Sequence, residues 1–292
     1  HEANWVTPIS TKYRDVMAHE IPPNGQGIAA LIALGVLGQF DAPPVDSADA
    51  IHLQIEAMKI GIKMAAKNVA DPDFMDVATA ELLEPAAIAH AANQISQNAA
   101  SGQHVSLPTS RDTVYLTTGD RDGMMVSFIQ SNYYGFGSGI VIPGTGISMQ
   151  NRGRGFSLEP GHPNEVGPSK RPFHTIIPGF LTGKDGPLAS LGVMGGPMQP
   201  QGHVQMTTRL IDYKQNPQAA SDAPRWLVHD DFSITLETGF SASVANELIG
   251  RGHAISYAED SQPFGGAQII FRCDDGYIAG SDHRKEGLAV GF

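Results

Sequence analysis

The stretch SLPTSRDTVYLTTGDRDGMMVSF, Ser106 to Phe128, changes character at Asp112-Thr113. Before the junction, Ser, Pro and Thr make a polar, breaker-rich run that reads as loop or linker. After it the side chains alternate. Val114 and Leu116 fall on one face, Tyr115 and Thr117 on the other, Asp122-Gly123 supplies a hairpin turn, and MMVSFI returns as a second strand. A threonine therefore stands first on a strand, at the end of a long linker. Strand propensity alone explains a threonine there. A second chemistry is open to it: a threonine with a free α-amino group uses that amine as the general base for its own hydroxyl. Such an amine has a pKa of about 7.7 to 8.0, so about a tenth to a fifth is unprotonated at neutral pH. Creating it requires cutting the Asp112-Thr113 bond.

Upstream of the junction the pattern is helical. After an irregular opening, a Pro23-Asn24-Gly25 turn precedes an apolar run with Ile28, Leu31, Ile32 and Leu34 on helical spacing, which predicts a buried helix. A second helix is expected from an N-cap at Asp46-Ser47, with Ile51, Ile55, Met58 and Ile62 on one face, ending at ADPDF. Val77 to Ile95 predicts further helix interrupted near Pro85, and Ser96 to Asp112 reads as loop. Downstream the period is two, with strands expected at Ile176 to Leu181, Leu188 to Val193, Ser233 to Glu237, His253 to Tyr257, Ala267 to Cys273 and Tyr277 to Gly280. Helices are expected at Met198 to Tyr213 and Ala242 to Arg251. Helices that precede and interleave with mainly antiparallel strands predict an α+β fold with layered sheets.

Composition narrows the function. The 292-residue chain is 41% hydrophobic, enough for a substantial core, and carries a net charge of −11, which opposes binding to nucleic acid or an anionic membrane. A single cysteine, Cys273, excludes an intrachain disulfide and a CxxC site, and is expected as a small buried hydrophobe in a strand. The eleven histidines include no HExxH, so no metal and no cofactor is expected. The glycine-rich GFGSGIVIPGTG lacks the Lys-Ser/Thr ending of a phosphate loop, and no G-x-S-x-G nucleophile elbow occurs. No apolar run approaches the roughly 20 residues of a membrane span. The opening HEANWVTPIS lacks a signal-peptide pattern, but a removed leader would leave the same start, so a soluble protein, cytoplasmic or exported, is expected.

Several motifs in register carry a resemblance. PPNGQGIAAL (Pro22–Leu31) and LQIEAMK (Leu53–Lys59), then FGSGIVIPGTGI (Phe136–Ile147), KRPFHTIIPGF (Lys170–Phe180), GVMGGPMQPQG (Gly192–Gly202) and DAPRW (Asp222–Trp226), resemble the γ-glutamyltransferase family over nearly the whole chain. The resemblance implies the four-layer αββα sandwich of the N-terminal-nucleophile hydrolases. It assigns residues 1–112 to the C-terminal half of a large-subunit-like region and 113–292 to a small-subunit-like catalytic region, together one composite domain lacking the N-terminal part of the large subunit. It further implies self-cleavage between Asp112 and Thr113, with Thr113 then the nucleophile that takes an acyl group from an amide donor and passes it to water or an amine. Ser131 stands where the family has a threonine that supports the nucleophile, and Gly195-Gly196 matches its oxyanion-hole pair.

The departures fall in the donor pocket. Asn151 is retained, but Arg152 stands in place of a Gln and Gly155 in place of the Asp that pairs the substrate ammonium. Tyr133 replaces an Asn, and His174-Thr175 replaces a Ser-Ser pair that holds the substrate carboxylate. Removing one partner of a buried charge pair costs about 3 to 5 kcal/mol. Arg152 and Arg154 either repel an ammonium or point to solvent. The expectation is a donor with an acidic tail and no α-amino group, such as a glutaryl amide, nearer the cephalosporin-acylase-like branch than the glutathione-degrading one. Partners are then a small γ-glutamyl or acyl-amide donor and an amine or water acceptor, with a missing large-subunit segment and room for a homo-oligomer. The competing reading is a catalytically inactive truncated homologue serving as a binding or assembly module.

Overall fold

The opening stretch, irregular by sequence, is a β-hairpin, β1 (Ile9–Tyr13) and β2 (Val16–Glu20), in a computed structural model that describes residues 3–101, 105 and 112–292. Its turn lacks the glycine that would have announced it. Arg14 takes the left-handed conformation instead, at φ +54°, with its guanidinium anchored on Asp212 (2.9 Å) and the Phe40 carbonyl (2.7 Å). Next come α1 (Gly27–Leu37), buried along its whole length, and α2 (Ala48–Asn68), where Ser47 accepts the Ala50 N–H as N-cap. Ile51, Ile55, Met58 and Ile62 are buried as their spacing predicts. The region around Pro85 holds two short helices, α3 (Thr79–Leu82) and α4 (Pro85–Ala92), with the proline at the first turn where its missing N–H costs nothing.

The second half contains β3 (Asp112–Gly119), β4 (Met125–Tyr133), β5 (Gly179–Gly183), β6 (Gly186–Met194), α5 (Met198–Ile211) and α6 (Pro217–Asp222). It continues with β7 (Trp226–Val228), β8 (Ile234–Leu236), α7 (Ala242–Gly250), β9 (Ile255–Tyr257), β10 (Gly266–Cys273) and β11 (Gly276–Ser281). Six strands form one antiparallel sheet in the order β1-β2-β5-β6-β10-β11, so both halves of the chain share it. The strand expected from Ile176 starts only at Gly179, because Pro178 has no N–H for a ladder. Cys273 lies in a strand as expected but is exposed, at the strand's last position beside the β10–β11 turn.

Two adjacent residues of β6 fix the layering. A Cβ on Gly202 of α5 would meet Val193 at 2.6 Å, whereas a Cβ on Gly192 would meet the Tyr115 ring at 2.4 Å. Successive strand residues face opposite sides, so α5 covers one face and the β3–β4 hairpin the other. Ser190, two residues before Gly192, meets the hairpin too, through Thr117 Oγ1 (2.6 Å) and Tyr115 OH (3.3 Å). The hairpin turns its apolar residues outward: Val114, Leu116, Val126 and Phe128 are exposed, and the polar side of the alternation meets the sheet.

The small sheet β7-β8-β9 is held to α5 by two glutamines one helical turn apart. Gln201 accepts from Val228 N (2.7 Å) and donates to Val228 O (3.0 Å), while Gln205 does the same with Trp226 (3.2 and 3.0 Å). Each side-chain amide thus takes the place of a backbone group from a neighbouring strand and satisfies the buried edge of β7.

Candidate active site

The β3–β4 register places Thr113 opposite Ser131 and Asp112 opposite Tyr133, with a bulge between the two pairs. A bulge bends the strand and re-aims the side chains beside it. Thr113 is 8% exposed and its hydroxyl oxygen is buried without a hydrogen-bond partner. A buried hydroxyl left unpaired costs about 1 to 3 kcal/mol, which marks the position for a purpose other than stability. Ser131 Oγ accepts the Tyr133 N–H at 2.9 Å. That bond helps to hold Tyr133 at φ +81°, a strained value for a residue with a side chain.

Arg152, in a short 3₁₀ turn (Arg152–Gly155), does not point to solvent: it is 4% exposed. Its guanidinium lies 5.4 Å from the centre of the Tyr133 ring and donates to Thr175 Oγ1 (3.2 Å) and to the Ser131 carbonyl (3.4 Å). Burial pushes its pKa down to about 10. Among the described residues it has no carboxylate partner. Arg154, by contrast, is exposed and stacks on Tyr134 at 5.1 Å. His174 lies near Arg152 with its Nδ1 buried and unpartnered, and burial, then the charge of Arg152, drives its pKa down to about 3. The imidazole is therefore neutral at pH 7.

Backbone contacts hold this wall in place. His174 N donates to Asn24 O (2.9 Å), Gln26 N donates to His174 O (2.9 Å), and the Gln26 amide donates to both Thr175 O (2.5 Å) and Gly196 O (2.9 Å). The wall is thereby linked to the turn after β6, where Gly195 (φ +124°) and Gly196 (φ +61°) adopt conformations that side chains disfavour. Gly195 O accepts from Met198 N at the start of α5 (3.2 Å). In a trans peptide the N–H lies opposite the carbonyl, so the Gly196 N–H points away from the helix. Arg225 of the DAPRW motif is fully buried. It donates to Phe264 O (2.8 Å) and pairs with Asp282, fixing the segment whose Gly265 packs 3.1 Å from where a Gly195 Cβ would lie.

Two other candidates have their geometry accounted for by packing. The Asn151 amide accepts from Tyr134 N and donates to Tyr134 O and Gly137 O, each at 3.0 Å, and so staples the 134–151 loop. At Gly155 a Cβ would come 2.7 Å from Phe173 O, leaving no room for a side chain.

Sequence spacing gives no sign of a buried cluster behind this region, because its histidines are 201 residues apart. His52 Nε2 lies 2.8 Å from the Ser96 carbonyl and so donates to it, which makes His52 Nδ1 the acceptor of His253 Nε2–H (2.8 Å). His253 Nδ1 then faces Lys59 Nζ (3.4 Å), which also pairs with Glu56 (2.8 Å). Glu56 accepts the Ala100 N–H (3.0 Å). His52, Glu56 and His253 sit close enough together to hold a metal ion, but every one of these contacts is satisfied with both histidines neutral and Lys59 charged. The arrangement is a polar lock on residues 96–100, the described start of the stretch expected to be loop.

The gamma-glutamyltranspeptidase family model matches residues 1–292. Among curated proteins, the chain is 33% identical to the glutathione hydrolase-like YwrD proenzyme of Bacillus subtilis, over 100% of this chain and 57% of that protein. It is 34% identical to the oxamate amidohydrolase proenzyme of Klebsiella pneumoniae, covering 100% of this chain and 56% of the other. Among solved structures, a cephalosporin acylase from Bacillus halodurans superposes with a TM-score of 0.91 at 47% identity, over 98% of this chain and 53% of that one. The chain spans about half the length of these relatives, and it has the α+β fold of the N-terminal-nucleophile hydrolases, to which its helical layer, six-stranded sheet and second-sheet hairpin belong. With the match running from its first residue to its last, this chain belongs to the gamma-glutamyltranspeptidase family.

Proposed function

We propose that the protein is an amide-cleaving acyl-transfer enzyme that activates itself by cutting the Asp112-Thr113 bond. The observation that carries this reading is the Thr113 hydroxyl, buried and unpaired beside a bulge at the head of its strand. In the first reaction Thr113 Oγ adds to the Asp112 carbonyl carbon, the C–N bond breaks, and the released nitrogen takes the hydroxyl proton. Water then hydrolyses the resulting ester, which leaves a carboxylate on Asp112 and a free amine on Thr113. In the second reaction that amine takes the Thr113 hydroxyl proton as the oxygen attacks the donor amide. The leaving amine departs with the proton, and the acyl group remains on Thr113 as an ester until water or an acceptor amine takes it.

Negative charge develops on the carbonyl oxygen in each addition. The Gly196 N–H, facing away from α5, and the positive end of that 14-residue helix suit the stabilisation of such an oxyanion. A donor of this kind contributes about 2.7 to 4 kcal/mol in the transition state. The acyl group is γ-glutamyl or glutaryl-like. The relatives named glutathione hydrolase-like protein, oxamate amidohydrolase and cephalosporin acylase support amide cleavage. Intact mass and N-terminal sequencing of the full-length protein after incubation at neutral pH test the proposal. Two pieces are expected, the second beginning Thr-Val-Tyr-Leu; a chain that stays whole and turns over no amide overturns it.

A further inference from the structure

Gln26 stands at the N-cap of α1, where Ser, Thr, Asp and Asn are favoured, yet its side chain makes no capping bond. It is 3% exposed and gives its amide hydrogens to main-chain oxygens instead, Thr175 O (2.5 Å) and Gly196 O (2.9 Å). Its own backbone is fixed on either side, because its N–H donates to His174 O (2.9 Å) and its carbonyl accepts from Ala29 N (2.9 Å). A rigidly mounted pair of donors thus reaches across to the glycine turn.

Few hydrogen bonds locate that turn. Gly195 O accepts from Met198 N (3.2 Å) and Gly196 O from Gln199 N (3.1 Å), bonds between residues three apart that shape the turn but move with it. Both glycines have positive φ and no side chain to pack. Among the described residues, Gln26 alone reaches either carbonyl from outside the turn. The turn also lies beside the nucleophile. Ser190 of β6 meets Thr117 and Gly192 meets Tyr115, so two residues forward on β6 match two residues back on β3. The same step carries the match to Met194 and Thr113, at the edge of the turn.

We infer that Gln26 is a positioning residue: by holding the Gly196 carbonyl from outside the turn, it aims the Gly196 N–H at the carbonyl that Thr113 attacks. This rests on the function proposed above and deepens it. The donor wall keeps its other ties when the Gln26 amide is lost. His174 O is held by the Gln26 main-chain N–H, His174 N donates to Asn24 O, and Ile177 N donates to Gln199 Oε1 (3.0 Å). Loss of the amide therefore acts on the rate of bond breaking more than on donor binding, in self-cleavage and in amide turnover alike.

The test compares wild type, Gln26→Ala and the isosteric Gln26→Glu in the full-length protein. Gln26→Ala should slow self-cleavage and lower kcat for an anilide by about 10-fold or more, up to the roughly 10²- to 10³-fold that removing an oxyanion donor costs, with KM changed by less than about 3-fold. Gln26→Glu should lose as much at about pH 8, where its carboxylate faces two carbonyls with no hydrogen to give. Its rate relative to wild type should recover as pH falls, because the protonated carboxyl regains one donor, a recovery that a merely structural role would not give. Hydrogen exchange reads the turn without any chemistry. The Met198 and Gln199 N–H groups, which donate to Gly195 O and Gly196 O, should exchange about 10-fold faster in Gln26→Ala than in wild type. Wild-type kcat or unchanged exchange in Gln26→Ala overturns the inference, as does a loss confined to KM. Should neither variant fold, wild type alone decides: the two amides exchanging as fast as an exposed loop overturn it, and slow exchange supports it. Faster exchange in Gln26→Ala of a protein that never cuts itself would remove the function proposed above and leave the hold of Gln26 on the turn standing. Full turnover by Gln26→Ala would do the reverse.

Discussion

Two buried polar clusters in this molecule are built on opposite rules. Around His52 and His253 each donor meets an acceptor, from the Ser96 carbonyl through both imidazoles and Lys59 to Glu56 and the Ala100 N–H. Around Thr113 the hydroxyl, the His174 Nδ1 and part of the Arg152 fork go unmatched at similar depth. Burying unpaired polar groups lowers stability, so a fold that does it in one place and avoids it in another separates the two places by role. The closed cluster holds the chain together, and the open one is where the function proposed above places the chemistry.

The largest expected effect tests the open cluster. Thr113→Ala should abolish self-cleavage and reduce amide turnover by about 10⁴-fold or more, while Thr113→Ser retains part of both; mass spectrometry and anilide hydrolysis read the two outcomes. Because the Thr113 hydroxyl is unpaired, the alanine variant should unfold at no lower denaturant concentration than wild type. A marked loss of stability would erase the contrast. The closed cluster should behave the opposite way. Glu56→Gln leaves Lys59, 3% exposed, without its charge partner, and should cost about 3 to 5 kcal/mol by urea unfolding, with the intrinsic turnover of the folded fraction retained. A stable but inactive Glu56→Gln would place the cluster in the chemistry.

Acid gives a smaller and graded effect. Burial, then the charge of Lys59, pushes the His253 pKa down to about 3, against about 6.5 for an unfolded histidine. Between those values the unfolded chain binds the proton that the folded chain refuses. Stability should therefore fall as pH drops from about 6.5 towards 3, with a slope of up to one proton for His253 and another for His174. His253→Gln should flatten that slope by one proton in pH-dependent urea titrations. An unchanged slope would mean that His253 is no more sheltered than a surface histidine.

Much of the scaffold was legible because local chemistry agreed with it. Ser47 followed by Ile51, Ile55, Met58 and Ile62 spells a capped amphipathic helix, and Asp122-Gly123 between alternating runs spells a hairpin. The first hairpin was not legible because its turn uses Arg14, whose left-handed backbone is stabilised by Asp212, a residue 198 positions away. The location of the site depended on motifs in register, since threonine at the head of a strand is unremarkable by itself. Arg152 could be named from its position in the loop, but its inward orientation is set by Thr175 and Tyr133, contacts that no local pattern encodes. The His52–His253 pair was invisible for the same reason.

The wall that carries His174 and Thr175 is gripped by Asn24 and Gln26 through its main chain, at His174 N, His174 O and Thr175 O. Neither grip consults the identity of the side chains at those two positions. On the function proposed above, mutations there would change which acyl group is accepted while the path of the backbone, and the glycine turn that the same Gln26 amide holds, stay where they are. The segment is in effect an interchangeable part, whose side chains a directed library can vary at little risk to the backbone that carries them.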